Sequence, residues 1–341
     1  MLNAGMSGGV TYKLLKTFGL GPKVEANDWL NNPKVLQLRK DLKAGKYASL
    51  ERVLDFQRHK DPEIYSLFIA GLGQWSRNPG FLENYLQKYP QSSHALIINA
   101  CHKINWAWEA RTGQYADNVT EKQWECFFQR LELADELLHK AIQLAPSNVE
   151  SYCYLIMLAM GRGDDKSEIF SKFTSLKIKQ PNHATGHTHM LYALTRKWGG
   201  SYDAMFSFAR NTYKNMQAGS PLGILIPQAH IEKWCDLDDD DEMAARDYIA
   251  SEEVQGEIRD AFDNSLNHES YQSKSLDPMY ASIFAMAFFL GGDYRLARQN
   301  CARLTRGFSA YPWYYLTAEV NDELNAGYIL DRVMKLIRNS V

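Results

Sequence analysis

From Asn32 onward, large apolar side chains recur every three or four positions, with polar residues between them, which is the period of amphipathic helices. Asn32 supplies a cap, Pro33 suits a first helical position, and Val35, Leu38 and Leu42 share one face. Gly45, Tyr47, Leu50, Leu54 and Pro62 follow at offsets 0, +2, +5, +9 and +17. Near the C-terminal end Gly292, Tyr294, Ala297 and Cys301 repeat the offsets 0, +2, +5 and +9, behind a helix carrying Phe284, Ala285 and Phe288. In the middle, Ala134, Leu138, Ala141 and Pro146 stand at 0, +4, +7 and +12. The pattern predicts helices throughout and no sheet. Residues 1–30 are Gly-rich and weakly patterned, and read as a loose tail or one short helix around Tyr12 to Phe18.

These spacings have a physical cause. Small residues at 0 and +7 let a neighbouring helix approach, a large residue at +4 fills the gap, and proline stops the helix. Glycine permits the tight turn between paired helices, and the aromatic two residues later packs beneath it. The same grammar marks tetratricopeptide repeats. The expected fold is therefore all-α: a tetratricopeptide-like, right-handed superhelical solenoid of degenerate helix pairs, with residues 31–341 as a single helical-repeat domain. At 341 residues the chain is longer than one ordinary core, so it is either two domains or an extended stack whose repeats touch only their neighbours.

The repeats are uneven. Pro146 to Pro181 spans 35 residues, near one period, whereas Pro62 to Pro90 spans 28. Arg111 to Thr120 reads as an insertion between two helices. Gly219 to Asp241 is a second irregular region, because two glycines and two prolines in GSPLGILIPQAH oppose a single helix; a helix is expected at 228–234 and another from about Glu242. Asp236, Asp238 and Asp240 alternate as in a calcium loop, but Asp241 stands where that loop needs glycine, and an acidic helix cap is the better reading.

Composition narrows the function. With 38 basic and 40 acidic residues the net charge is −2, so the basic footprint of a nucleic-acid partner is missing. Five scattered cysteines, an odd number without any CxxC, suit reduced thiols in a cytoplasmic protein. The N-terminus has no continuous apolar stretch of the kind a secretory leader carries. The longest uncharged apolar run, between Asp277 and Asp293, is shorter than the roughly 18 to 20 residues of a membrane span and predicts one very buried helix. No P-loop, GxGxxG or HExxH occurs, so no cofactor and no catalytic residue is expected.

Two tracts break the core period. NWAWEARTGQY carries Trp106, Trp108, Glu109, Arg111 and Tyr115; RKWGGSYDAMFSFAR carries Arg196 and Trp198, with Tyr192 just upstream. Aromatic walls with an Arg and a Glu could form a recognition pocket. The plainer alternative is a tryptophan wedge that fills an irregular turn between helices. His183 and His187, four apart, could face one way as metal ligands; solvated or capping histidines are the competing reading, with His189 completing the cluster.

The tracts AWEARTGQY (107–115) and RKWGGSYDAMFSFAR (196–210), flanking a tetratricopeptide-like helix pair, resemble a bacterial family of unknown function that is similar to degenerate tetratricopeptide and Sel1-type repeats. The resemblance is best over about residues 95–215. It implies a bacterial, cytoplasmic protein and assigns no catalytic residue. The expectation is a non-catalytic scaffold that grips a protein or peptide in the concave groove of the stack, including the case of an immunity or antagonist protein for a bacterial toxin. The alternative is an enzyme or small-ligand sensor with a polar pocket near Glu109, Arg111 and His187 to His189.

Overall fold

The computed structural model describes residues 32–111, 118–304, 308–316, 330 and 332–337. The expectations for residues 1–30 and for most of the 111–120 insertion lie outside them. Among the described residues every regular element is a helix and no strand occurs. The chain divides into two compact units, one of residues 32–200 and one whose described residues begin at Ser201.

The first unit contains α1 (Pro33–Lys43), α2 (Tyr47–Lys60), α3 (Pro62–Gly73), α4 (Gly80–Lys88), α5 (Ser93–Arg111), α6 (Glu121–Leu144), α7 (Glu150–Arg162), α8 (Lys166–Lys179), α9 (Ala184–Ala193) and a 3-10 turn, Arg196–Trp198. Local chemistry sets many of these boundaries. Asn32 caps α1, accepting from the backbone N–H of Lys34 at 2.9 Å. Gly45, at φ +70, makes the turn into α2, as the spacing predicts, and Tyr47 packs against Tyr85. Asp61 caps α3 and Pro62 opens it. Thr120 and Gln123 form a reciprocal capping box at the start of α6. That helix stops at Leu144, just ahead of Pro146, and Ala134, Leu138 and Ala141 are fully buried along it.

Packing follows a regular order. Each helix of the unit lies against the next along most of the chain, and the odd-numbered helices also touch in sequence, α1 on α3, α3 on α5, α5 on α7 and α7 on α9. Burial separates the two sets. Residues 93–102 of α5 are buried without a break, and α3 and α7 are nearly as enclosed. The large exposed apolar side chains sit mainly on even-numbered helices: Phe56 on α2, Phe128, Leu133 and Leu144 on α6, and Phe170 and Ile178 on α8. The odd-numbered helices thus leave little surface in water, above all α3, α5 and α7.

The second unit contains α10 (Tyr202–Asn215), a 3-10 turn (Pro221–Ile224), α11 (Leu225–Asp238), α12 (Glu242–Ala250), α13 (Glu252–Asp263), α14 (Asp277–Leu290) and α15 (Tyr294–Cys301), followed by a 3-10 turn, Trp313–Leu316. The Gly219 to Asp241 region differs from expectation. Helix α11 starts at Leu225 and accommodates Pro227 in its first turn, where backbone N–H groups need no helical partner. It also runs on through Asp236 and Asp238, so these residues do not form a loop. Asp241 caps α12 through the N–H groups of Met243 and Ala244, as anticipated. Burial, reinforced by Glu242 and Asp239, raises the Asp238 carboxyl to about 6. The apolar run becomes α14, buried on nearly all sides, and Gly292, at φ +81, makes the turn into α15. Among the described residues no helix is long and apolar enough to cross a membrane.

Candidate binding site

Helix ends in the first unit bring four of the singled-out residues together. Trp108, near the end of α5, meets Phe127 of α6 edge to face at 4.9 Å between ring centroids. It meets Trp198, from the 3-10 turn, in the same way at 5.4 Å. Tyr192, at the end of α9, lies 6.1 Å from Trp198. The Arg111 guanidinium hangs 5.6 Å from the Trp108 ring and 5.3 Å from that of Trp124. Trp124 in turn stacks on Phe128, which is 46% exposed. Edge-to-face contact between rings at these separations is favourable beyond the area buried.

Gly161 of α7 makes the cluster possible. A Cβ at that position would stand 3.2 Å from Trp108 Cζ2, 3.2 Å from Leu131 Cδ1 and 3.4 Å from Phe127 Cζ. The Lys166 ammonium donates to the carbonyl of Trp198 and ties the turn to α8. Partial burial lowers the pKa of both Lys166 and Arg111. Among the described residues the indole N–H groups of Trp108 and Trp198 are both buried without an acceptor, an unusual pair in so small a volume.

The other singled-out residues go elsewhere. Trp106 is two residues from Trp108, about 200° around the helix, and so faces a different neighbourhood. Arg130 covers its ring at 3.5 Å, Lys103 approaches at 5.1 Å, and His102 stacks at 6.1 Å. Glu109 and Arg196 are exposed. Tyr115 lies outside the described residues. Trp124, Phe127, Phe128 and Gly161 were not anticipated, although Trp124 and Phe128 at i and i+4 on a helix with a plain cap could have been found.

A second constellation lies deeper. Tyr65 of α3 contacts His94 Nδ1 through its hydroxyl at 2.8 Å and accepts from the Asn148 amide at 2.8 Å; that amide also reaches Ser93 Oγ at 3.3 Å. Beside it, Ser66 donates to Glu150, and His183 Nε2 stands 2.9 Å from Glu150 Oε1. His183 is the N-cap of α9, its Nδ1 accepting from the Gly186 N–H at 3.0 Å. His187 Nδ1 lies 2.9 Å from the His183 carbonyl, and its ring meets Phe173 edge-on. The spacing of His183 and His187 therefore reflects a cap and a core contact. The three-donor group close enough to share an ion, among the described residues, is instead Glu150, Cys153 and His183.

His189 Nδ1 lies 3.4 Å from Cys153 Sγ. Burial lowers both His187 and His189 to about 4 and pushes the Cys153 thiol well up. The polar pocket considered around Glu109, Arg111, His187 and His189 has no shared focus: an exposed acid, a cation between two tryptophans, and two histidines held in separate buried contacts. Ser66 and His183 both turn to the Glu150 carboxylate and stand 3.5 Å apart, Oγ to Nε2.

No family model and no curated protein matches this chain.

Proposed function

We propose that this chain is a non-catalytic interaction scaffold, a tetratricopeptide-like superhelical stack of helix pairs that docks a protein segment on the aromatic cluster at the ends of α5, α6 and α9. The order of packing, odd-numbered helix on odd-numbered helix, supports the repeat architecture. The docking reading rests on one observation: Trp108, Trp198, Tyr192, Trp124 and Phe128 converge beside Arg111, with Phe128 left 46% in water. Tryptophan, tyrosine and arginine supply most of the energy at protein interfaces. Because the odd-numbered helices are enclosed, the partner would sit at this edge and along the even-numbered helices instead of in an inner groove.

A bacterial, cytoplasmic setting and an antagonist role toward a toxin remain compatible with this reading. The test is capture of partners from the native host by the tagged full chain, beside Phe128→Ser, an exposed change that spares the core. The expected result is one stoichiometric protein held by the wild type and lost from the variant at unchanged thermal stability. Equal retention by both would remove the cluster from the interface.

A further inference from the structure

We propose that Glu150, Cys153 and His183 form a closed zinc site that staples α7 to the N-terminus of α9. The three residues are 2%, 1% and 3% exposed, and one donor atom from each lies within 4.8 Å of the others. Their convergence is built into the helices. Glu150 and Cys153 stand at i and i+3 in the first turn of α7 and project to one side. His183 reaches them from the cap of α9, where its bond from Gly186 aims Nε2 at Glu150.

Charge and donor type point to the ion. With Nδ1 engaged as an acceptor, the His183 ring carries its proton on Nε2 and is neutral. The buried Glu150 carboxylate then has hydrogen-bond donors in Ser66 and His183 and, among the described residues, no lysine or arginine in ion-pair contact. A divalent cation bound to one carboxylate, one thiolate and one neutral imidazole gives a net-neutral group. Thiolate with imidazole selects zinc over the hard cations magnesium and calcium. The absence of solvent access at all three ligands makes the site structural rather than catalytic.

Binding releases the Cys153 thiol proton to solvent and moves the imidazole proton from Nε2 to Nδ1, which displaces the Gly186 cap. One capping bond is exchanged for three metal–ligand bonds. Zinc–ligand bonds of about 2.0 to 2.3 Å place tetrahedral ligands about 3.3 to 3.8 Å apart, so the widest pair must close by about 1 Å. Ser66 Oγ, 3.5 Å from His183 Nε2, is placed to complete the coordination from α3.

The test uses the full chain, unfolded in chelator and refolded with zinc or with cobalt(II) as a spectroscopic probe. One zinc per chain is expected after gel filtration, together with a rise in thermal midpoint over protein refolded without metal. The cobalt form should show tetrahedral d–d bands and a thiolate-to-cobalt charge-transfer band. Cys153→Ala should abolish the charge-transfer band, and His183→Asn, which keeps a capping oxygen, should weaken cobalt affinity at least tenfold. Cys301→Ala, at a buried thiol of the second unit, should change neither. Zinc-free wild type after refolding, or a cobalt spectrum unaltered by Cys153→Ala, would overturn the assignment. If the variants do not fold, the metal content of the wild type decides alone.

Discussion

The aromatic cluster and the buried polar layer lie in one unit, and both are assembled from helix ends, yet they hold their helices by opposite means. In the polar layer Tyr65, His94, Asn148 and Ser93 form one hydrogen-bonded set and Ser66, Glu150 and His183 another beside it, side chain to side chain, at the starts of α3, α5, α7 and α9. In the cluster the rings of Trp108, Trp198 and Phe127 fill space, and two indole N–H groups go unanswered. The first arrangement depends on direction and fails when one partner is deleted. The second depends on volume and tolerates the loss of a donor. A surface that must accept a partner is better built in the second way, because rings can shift by fractions of an ångström without stranding a polar atom.

The sharpest way to break this contrast is to remove volume. Trp108→Ala should cost about 3 to 5 kcal/mol, the range for emptying a packed aromatic position. Trp106→Ala, two residues away, loses mainly contact with Arg130 and Lys103 and should cost about 1 kcal/mol. Urea denaturation of both variants measures the difference. Similar losses would mean that the two tryptophans share one environment after all.

The two-residue step between these tryptophans also shows what the sequence made legible. Both stood out as aromatic residues off the core period, but composition alone grouped them, and only helix geometry separates them. The turn glycines Gly45 and Gly292 and the alanines at 134 and 141 could be read directly, because their requirement is local: a positive φ in the first case, a close neighbour in the second. The polar layer could not be read so. Ser66 meets Glu150 across 84 positions and His183 across 117, so no local window contains the site. The nearest signal was Glu150 and Cys153, polar and sulfur-bearing residues opening an otherwise apolar helix.

Removing one hydroxyl tests the directional half of the comparison. Tyr65→Phe keeps the ring and deletes the atom that joins Asn148 to His94, leaving buried polar groups on both sides. The expected loss is about 2 kcal/mol, within the range for a stranded buried donor or acceptor. A loss below about 0.5 kcal/mol would show that water or a rotated amide replaces the tyrosine.

Acid should strike the buried histidines next. Burial above all holds His94, His102, His187 and His189 at about 4, against 6.5 for a free side chain. The unfolded chain therefore binds protons between pH 6.5 and 4 that the folded chain refuses. Stability should fall as pH drops through that window, each histidine adding a slope of at most about 1.4 kcal/mol per pH unit. His187→Phe, which keeps a ring against Phe173, should flatten the slope between pH 6 and 5. An unchanged slope would place the proton uptake at other groups.

The smallest effect belongs to Trp198→Phe, and it is the most exacting. This edit resembles Tyr65→Phe in deleting one polar hydrogen from an aromatic side chain, but here the donor has no acceptor to lose among the described residues. The smaller ring gives up contact with Trp108 and Tyr192, while a buried, unpaired N–H disappears with it. A stranded donor costs about 1 to 3 kcal/mol, comparable to the contact surrendered, so the net change should lie within about 1 kcal/mol of zero. A loss above 2 kcal/mol would mean that the indole N–H is satisfied in solution, for instance over a neighbouring ring, and that the cluster is as directional as the polar layer it is set against.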